Sequence, residues 1–196
     1  MLRRLGLRQD ECVVDVGAGR GALTIPLARA GARVLAIERD RSMVSALQQR
    51  VEQCGVADRA RIRRGDLRDV PWPAEPYRVV ASPPYALTIR LLARLLDDPR
   101  TGPVRADLLL QWEVACKRAA SPPSTLRSAA WAPWWRFELG ECVSRQAFRP
   151  VPATDSGWLT VVRRVPPVLP VDLAPRFRDV LAPHWEATSH RHGRPS

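Results

Sequence analysis

Lysine is almost missing from this 196-residue chain: of its 31 basic side chains, Lys117 alone is a lysine. Histidine is scarce as well, and His184, His190 and His192 all fall in the carboxy-terminal tail. A histidine-dependent catalytic triad therefore lacks material within the body of the protein. Cys12, Cys54, Cys116 and Cys142 are widely separated and share no metal-ligand spacing, which argues for reduced thiols and against a zinc site or disulfide framework. No metal site is expected. No apolar stretch approaches the ~20 residues of a membrane span, and Met1 to Asp10 lacks the apolar core of a secretory signal. The expectation is a soluble, cytoplasmic, monomeric protein that uses neither metal nor membrane.

What is abundant is positive charge on a globular background. Apolar residues make up 45% of the chain and the formal net charge is +11. An excess of that size favours a polyanionic partner, because each neutralised phosphate releases condensed counterions. Arginine forks onto phosphate and stacks on bases, which suits RNA. Arginine-for-lysine usage is also what a GC-rich genome produces, so the net excess carries the argument.

Apolar periodicity predicts alternating strands and helices. Cys12–Val16 is a short β-branched run that stops at Gly17, as a buried parallel strand does. Ala22–Ala30 has helical spacing and ends at Gly31. Further strands are predicted at Arg33–Glu38, Arg61–Arg64, Tyr77–Ala81 and around Asp107–Leu110, with helices at Ser42–Cys54, Ala86–Leu96 and Trp112–Ala119. Trp135–Val143 and Trp158–Arg164 favour an antiparallel hairpin at one edge, and a proline-rich tail offers one helix near Leu173–Leu181. The expected fold class is α/β with a mostly parallel sheet.

Asp15-Val16-Gly17-Ala18-Gly19-Arg20-Gly21 sits between the first strand and the first helix, where a nucleotide-type ligand meets a helix amino terminus. Glu38, ending the second strand, falls where a carboxylate can accept ribose hydroxyls. The same spacing satisfies the looser dinucleotide fingerprint, so NAD stays open on these residues alone. Asp15 favours a methyl donor, since an acid ahead of the first glycine can hold an ammonium group that NAD lacks. Asp66 and Leu67, after the third strand, form a further marker, with Asp66 able to receive an adenine amino group.

Ser82-Pro83-Pro84-Tyr85 directly follows the fourth strand. Consecutive prolines stiffen the chain and remove two amide donors, freeing carbonyl oxygens to face a ligand. An exocyclic amine on adenine or cytosine is a poor nucleophile because its lone pair is delocalised into the ring. Acceptors on its two N–H bonds, here the Ser82 oxygen and the Pro83 carbonyl, help that lone pair localise towards an incoming methyl group. Tyr85 can stack on the base. Catalysis is then largely alignment.

With these motifs in place the chain resembles the Erm family of ribosomal RNA adenine N6-methyltransferases, relatives of the ribosomal RNA adenine dimethylases. The matching stretches are VVDVGAGRGALTIPLA, VLAIERD, GDLRDV, YRVVASPPYALTIRLL, DLLLQWEVACKRA and AFRPVPATDSGWLTVVRR, from about Val13 to Arg164. The resemblance implies a Rossmann-like class I fold with a seven-stranded sheet, and S-adenosylmethionine as donor. It implies an adenine of 23S ribosomal RNA as target, methylated before full ribosome assembly and conferring macrolide-type resistance. It places Gly17, Glu38, Asp66 and Ser82 at the cofactor, with Gly19 in the same loop, and Ser82 and Tyr85 at a base taken from an unstacked or flipped position.

The chain departs from that family where Ser82 replaces the usual Asn, a motif shared with cytosine N4-methyltransferases. A shortened cap before the first strand is a further expectation, with residues 1–165 as the catalytic domain and 166–196 as a vestige of a helical RNA-binding domain. A non-catalytic RNA-binding module on a decayed scaffold is the remaining alternative. Arg59, Arg61, Arg63, Arg64 and Arg68 are expected to form a solvated edge or an RNA contact, and Arg3, Arg4 and Arg8 part of a rim. Trp131, Trp134 and Trp135 are expected to pack the sheet edge rather than stack on bases.

Overall fold

A computed structural model of the chain describes residues 5–189; Arg3, Arg4, His190 and His192 lie outside them. Seven strands form one sheet in the order β3-β2-β1-β4-β5-β7-β6. The strands are β1 (Cys12–Val16), β2 (Arg33–Glu38), β3 (Ala60–Arg64), β4 (Arg78–Ala81), β5 (Arg105–Gln111), β6 (Trp135–Val143) and β7 (Ser156–Arg163). The first five run parallel, and β7 enters antiparallel between β5 and β6. The mostly parallel sheet with its antiparallel edge hairpin is the architecture expected above.

Each central strand forms for a plain reason. All five residues of β1 are buried, as a strand covered on both faces requires. Its odd positions and even positions feed different cores. Val14 and Val16 join Val79, Leu108 and the leucines of α3 (Thr88–Leu96), whereas Val13 joins Leu27 of α1 (Thr24–Arg29) and Leu47 of α2 (Arg41–Gln53). Asp40 starts α2 by accepting the amides of Ser42 and Met43, and Gly55 follows it at φ +64°.

Trp134 and Trp135 are buried, and the indole N–H groups of Trp131, Trp134 and Trp135 go to Asp97, the Leu169 carbonyl and the Leu96 carbonyl. All three rings are therefore packed, as expected, and none is open for a base. Two helices depart from expectation. Leu126–Trp131 forms α5, beyond α4 (Trp112–Ala119), in a segment for which no helix or strand was expected. The tail helix α6 (Ala174–Ser189) is longer than expected and contains Pro183. It packs on α5 and sets the Phe177 ring edge-on to Trp134, 5.5 Å between centroids.

Candidate active site

The strand order reverses direction between β1 and β4, so the crevice beyond their carboxyl ends is the ligand position an open α/β sheet provides. Gly17 and Gly19 take positive φ of +73° and +53°, which glycine accepts without strain. The Gly17 and Ala18 amides donate to the Ile37 carbonyl at 2.9 and 3.1 Å, fastening the loop across to β2. A Cβ on Gly17 would sit 3.2 Å from Pro84 Cδ and 3.7 Å from the Pro83 Cα. The glycine loop and the proline pair, 66 positions apart, are thus in contact.

Glu38 closes this loop from the second strand. Its Oε2 accepts the Gly19 amide at 2.9 Å, and Oε1 accepts the Arg39 and Asp40 amides at 2.7 and 2.8 Å. A carboxylate has about four acceptor positions, so one remains on Oε2. Sequence reasoning expected a ligand-facing acid at this position but did not foresee that most of its capacity would brace the loop.

Gly17, Glu38, Asp66, Leu67, Pro84 and Arg90 are among the residues around a cavity of about 380 Å³, with Val16 and Ile37 at its apolar end. Asp66 is anchored by its neighbour: its Oδ1 accepts the Arg68 amide at 3.0 Å and Nε at 2.9 Å, while Oδ2 receives Nη2 at 3.3 Å. These bonds hold its carboxyl down at about pKa 2. Arg39 adds a longer contact at 3.8 Å.

Asp15 is placed differently from the ligand-facing position expected of it. It is 1% exposed, lies behind the loop rather than along the cavity, and accepts the Thr24 hydroxyl at 2.6 Å. Burial pushes its carboxyl up to about 7, against the lowering influence of the Thr24 hydrogen bonds. Asp15 is still inside β1, with Val16 between it and the Gly17 turn, and its side chain reaches Thr24 at the start of α1.

On the other side of the crevice Ser82 is exposed, Pro83 buried and Tyr85 half-buried. Among the described residues the Ser82 hydroxyl has no hydrogen-bond partner. The Tyr85 hydroxyl lies 3.0 Å from the Ser156 Oγ and 3.5 Å from the Thr154 carbonyl. Ser156 is 2% exposed, so the ring is tethered to a fixed point at the start of β7. Beside it lies a cavity of about 410 Å³ lined by Gln111, Trp112, Glu113, Arg145, Thr154 and Asp155. Sequence reasoning missed this second wall. The stretch containing it, AFRPVPATDSG, was visible, but nothing in its spacing said that it folds back on Tyr85.

The arginine cluster divides in the structure. Arg59 pairs with Asp10 at 2.8 Å and Arg68 with Asp66, while Arg61, Arg63 and Arg64 lie on the edge strand β3, where charge also guards against edge-to-edge pairing. Two larger cavities, about 640 Å³ each, meet around Arg33 and Glu75, one at the amino ends of the strands and the other running along β2 and β3 past Leu35, Arg61 and Arg63. They carry none of the glycine-loop or proline-pair residues. Among the described residues no group of three metal-ligating side chains is found, and no helix is long and apolar enough to cross a membrane.

The donor set suits a nucleoside bearing a sulfonium side arm. An acceptor position on Glu38 can take a ribose hydroxyl, Asp66 an adenine amino group, and Ile37 and Leu67 offer apolar walls between them. A dinucleotide fits less well, because the proline pair lies against Gly17, over which its pyrophosphate would cross. The sheet order, the glycine loop and the Ser-Pro-Pro-Tyr segment at the end of β4 together define a Rossmann-like class I methyltransferase fold.

Comparison with known proteins narrows the class. A family model described as ribosomal RNA adenine dimethylase matches residues 1–184, and the chain belongs to that family. It is 36% identical over 166 residues to an rRNA adenine N-6-methyltransferase of Corynebacterium diphtheriae, covering 85% of this chain and 63% of that one. It is 38% identical over 157 residues to the mycinamicin-resistance protein MyrB of Micromonospora griseorubida, covering 80% and 48%. The crystal structure of the 23S rRNA methyltransferase ErmE superimposes with a TM-score of 0.79 at 28% identity, covering 92% of this chain and 72% of that one. The chain thus spans between about half and 63% of the length of these two curated relatives.

Proposed function

We propose that this protein transfers a methyl group from S-adenosylmethionine to the exocyclic N6 of an adenine in 23S ribosomal RNA, and so confers resistance to macrolide-type drugs. The observation that carries this reading is the contact of Pro83 and Pro84 with Gly17, which brings the segment bearing Ser82 and Tyr85 against the glycine loop and Pro84 into the lining of the cavity of Glu38 and Asp66. Relatives at 36% and 38% identity bear the names of an rRNA adenine methyltransferase and a mycinamicin-resistance protein, and the +11 charge suits RNA. On this reading residues 1–165 carry the reaction, and the protein acts as a cytoplasmic monomer on RNA not yet fully assembled.

The bound donor supplies an electrophilic methyl group on a sulfonium. Everything else falls to this chain. Gly17 and Gly19 let the backbone approach the donor, Glu38 orients a ribose hydroxyl, and Asp66 with Leu67 fixes the adenine end. The Ser82 oxygen and the Pro83 carbonyl accept the two N–H bonds of the target amine, which directs its lone pair at the methyl carbon. Tyr85, held by Ser156, stacks on the base and sets its plane. Ser82 is exposed, so the proton shed by the methylated amine has water beside it. Asp15 acts from behind, through the loop.

Incubating protein-free 23S RNA with labelled S-adenosylmethionine and digesting to nucleosides tests the reading. Labelled N6-methyladenine is expected. Labelled N4-methylcytosine would transfer the assignment to a different base, a second reading that Ser82 in place of Asn favours. RNA binding with no label and no donor affinity would leave only a binding module.

A further inference from the structure

The mouth of the donor cavity is unexpectedly rich in cations. Arg39, Arg68 and Arg90 all line it. The side chains of Arg39 and Arg68 are 80% and 66% exposed, and Arg90 is exposed with no ion-pair partner among the described residues. The carboxylates nearby do not account for them. Glu38 gives all but one of its acceptor positions to backbone amides, Asp40 caps α2, and Asp66 can neutralise one guanidinium. That one is Arg68, whose Nε and Nη2 take the two oxygens of Asp66.

A planar set of N–H donors on a carboxylate is also what the adenine amino group presents, so Arg68 and a donor nucleoside compete for one acceptor. We propose that Arg39, Arg68 and Arg90 form a seat for an RNA phosphodiester at the rim of the donor cavity, with Arg68 held in reserve on Asp66 until the donor's adenine displaces it. The inference rests on the reading of the donor site given above. Its consequence is coupling: a bound donor frees one additional cation for the RNA backbone, so donor and RNA bind cooperatively. Linkage makes the effect reciprocal. The exposed ion pair is weak enough for the exchange.

The test measures affinity for a 23S RNA fragment across a salt series, with and without S-adenosylhomocysteine, in the wild type, in Arg68→Ala and in Arg61→Ala as a control on the β3 edge. With the wild type, S-adenosylhomocysteine should tighten RNA binding roughly fivefold at low salt. It should also steepen the salt dependence by roughly 0.7, the value for one additional single-strand phosphate contact. Arg68→Ala should abolish both changes and bind S-adenosylhomocysteine several-fold more tightly, while Arg61→Ala keeps the coupling. If S-adenosylhomocysteine binds the wild type but leaves RNA affinity and slope unchanged, or if Arg68→Ala does not tighten its binding, the seat is refuted and the donor site stands. If S-adenosylhomocysteine does not bind, or binds Asp66→Asn as well as wild type, the donor-site reading fails and this proposal falls with it.

Discussion

The two ends of the parallel sheet use the same side chains in opposite ways. At the amino ends of β4 and β5, Asp107 is 2% exposed and every part of its carboxylate is taken. It accepts Arg78 at 2.9 and 2.7 Å, Arg105 at 2.8 Å or slightly longer, and the Thr160 hydroxyl at 2.9 Å. At the carboxyl ends, Glu38 keeps an acceptor position open and Asp66 is held by two exposed arginines, Arg68 and, at longer range, Arg39. A carboxylate whose hydrogen-bonding capacity is exhausted inside the protein is a brace. One with capacity left over, at the rim of a cavity, is a place for a ligand. The contrast separates structural from functional acids without reference to any relative.

The comparison is broken most forcefully at the brace. Asp107→Ala leaves the Arg78 guanidinium, 3% exposed, buried without its main partner; Glu11 is 3.8 Å away and cannot replace it. Loss of about 3–5 kcal/mol is expected in a urea titration, whereas Glu38→Ala should cost far less. Equal losses would mean that the two ends are not organised differently.

Across the crevice, Tyr85→Ala should lower turnover by about a hundredfold, the scale of a lost positioning contact, with donor affinity unchanged. Asp66→Ala should show the reverse, weakening donor binding about tenfold, the scale of one lost hydrogen bond to a carboxylate, before it affects turnover at saturation. Matched losses in both parameters for Tyr85→Ala would remove the base-stacking role.

The smallest effect concerns Asp15, an acid of the ligand end that is buried like a brace. Its carboxyl is raised from an ordinary 3.8 to about 7. A raised acid means that the folded state binds the additional proton. Stability from this group is complete below pH 4 and is lost as the pH rises towards and through 7. Asp15→Asn removes that dependence, so its melting temperature relative to wild type should climb by several degrees between pH 5 and pH 8. A difference that is flat with pH would show that Asp15 is ionised throughout, as a carboxylate facing a ligand ammonium would be.

Much of the fold was legible because the central strands are short runs buried on both faces, bounded by glycine or by capping acids such as Asp40. Helix α5 was not. Its six residues follow Pro122-Pro123, carry too little periodicity to register, and are held by tertiary bonds: the Thr125 cap and the Trp131 indole on Asp97. In the candidate site the linear motifs located Gly17, Glu38, Asp66 and Ser82, since each lies at a strand end where direction is set by the sheet. The positions of Asp15 and Ser156 depend on how a turn tilts and on how a distant loop returns. Neither is encoded in spacing along the chain.

The contact between the glycine loop and the proline pair is tested most directly by a crystal structure of the protein with S-adenosylhomocysteine. The expected density puts the ribose at Glu38, the adenine edge at Asp66 in place of Arg68, and the sulfur facing Ser82 and Tyr85. Ligand bound in the arginine-rich cavities around Arg33 and Glu75, or with its sulfur turned away from Ser82, would contradict a methyl-transfer site at this crevice.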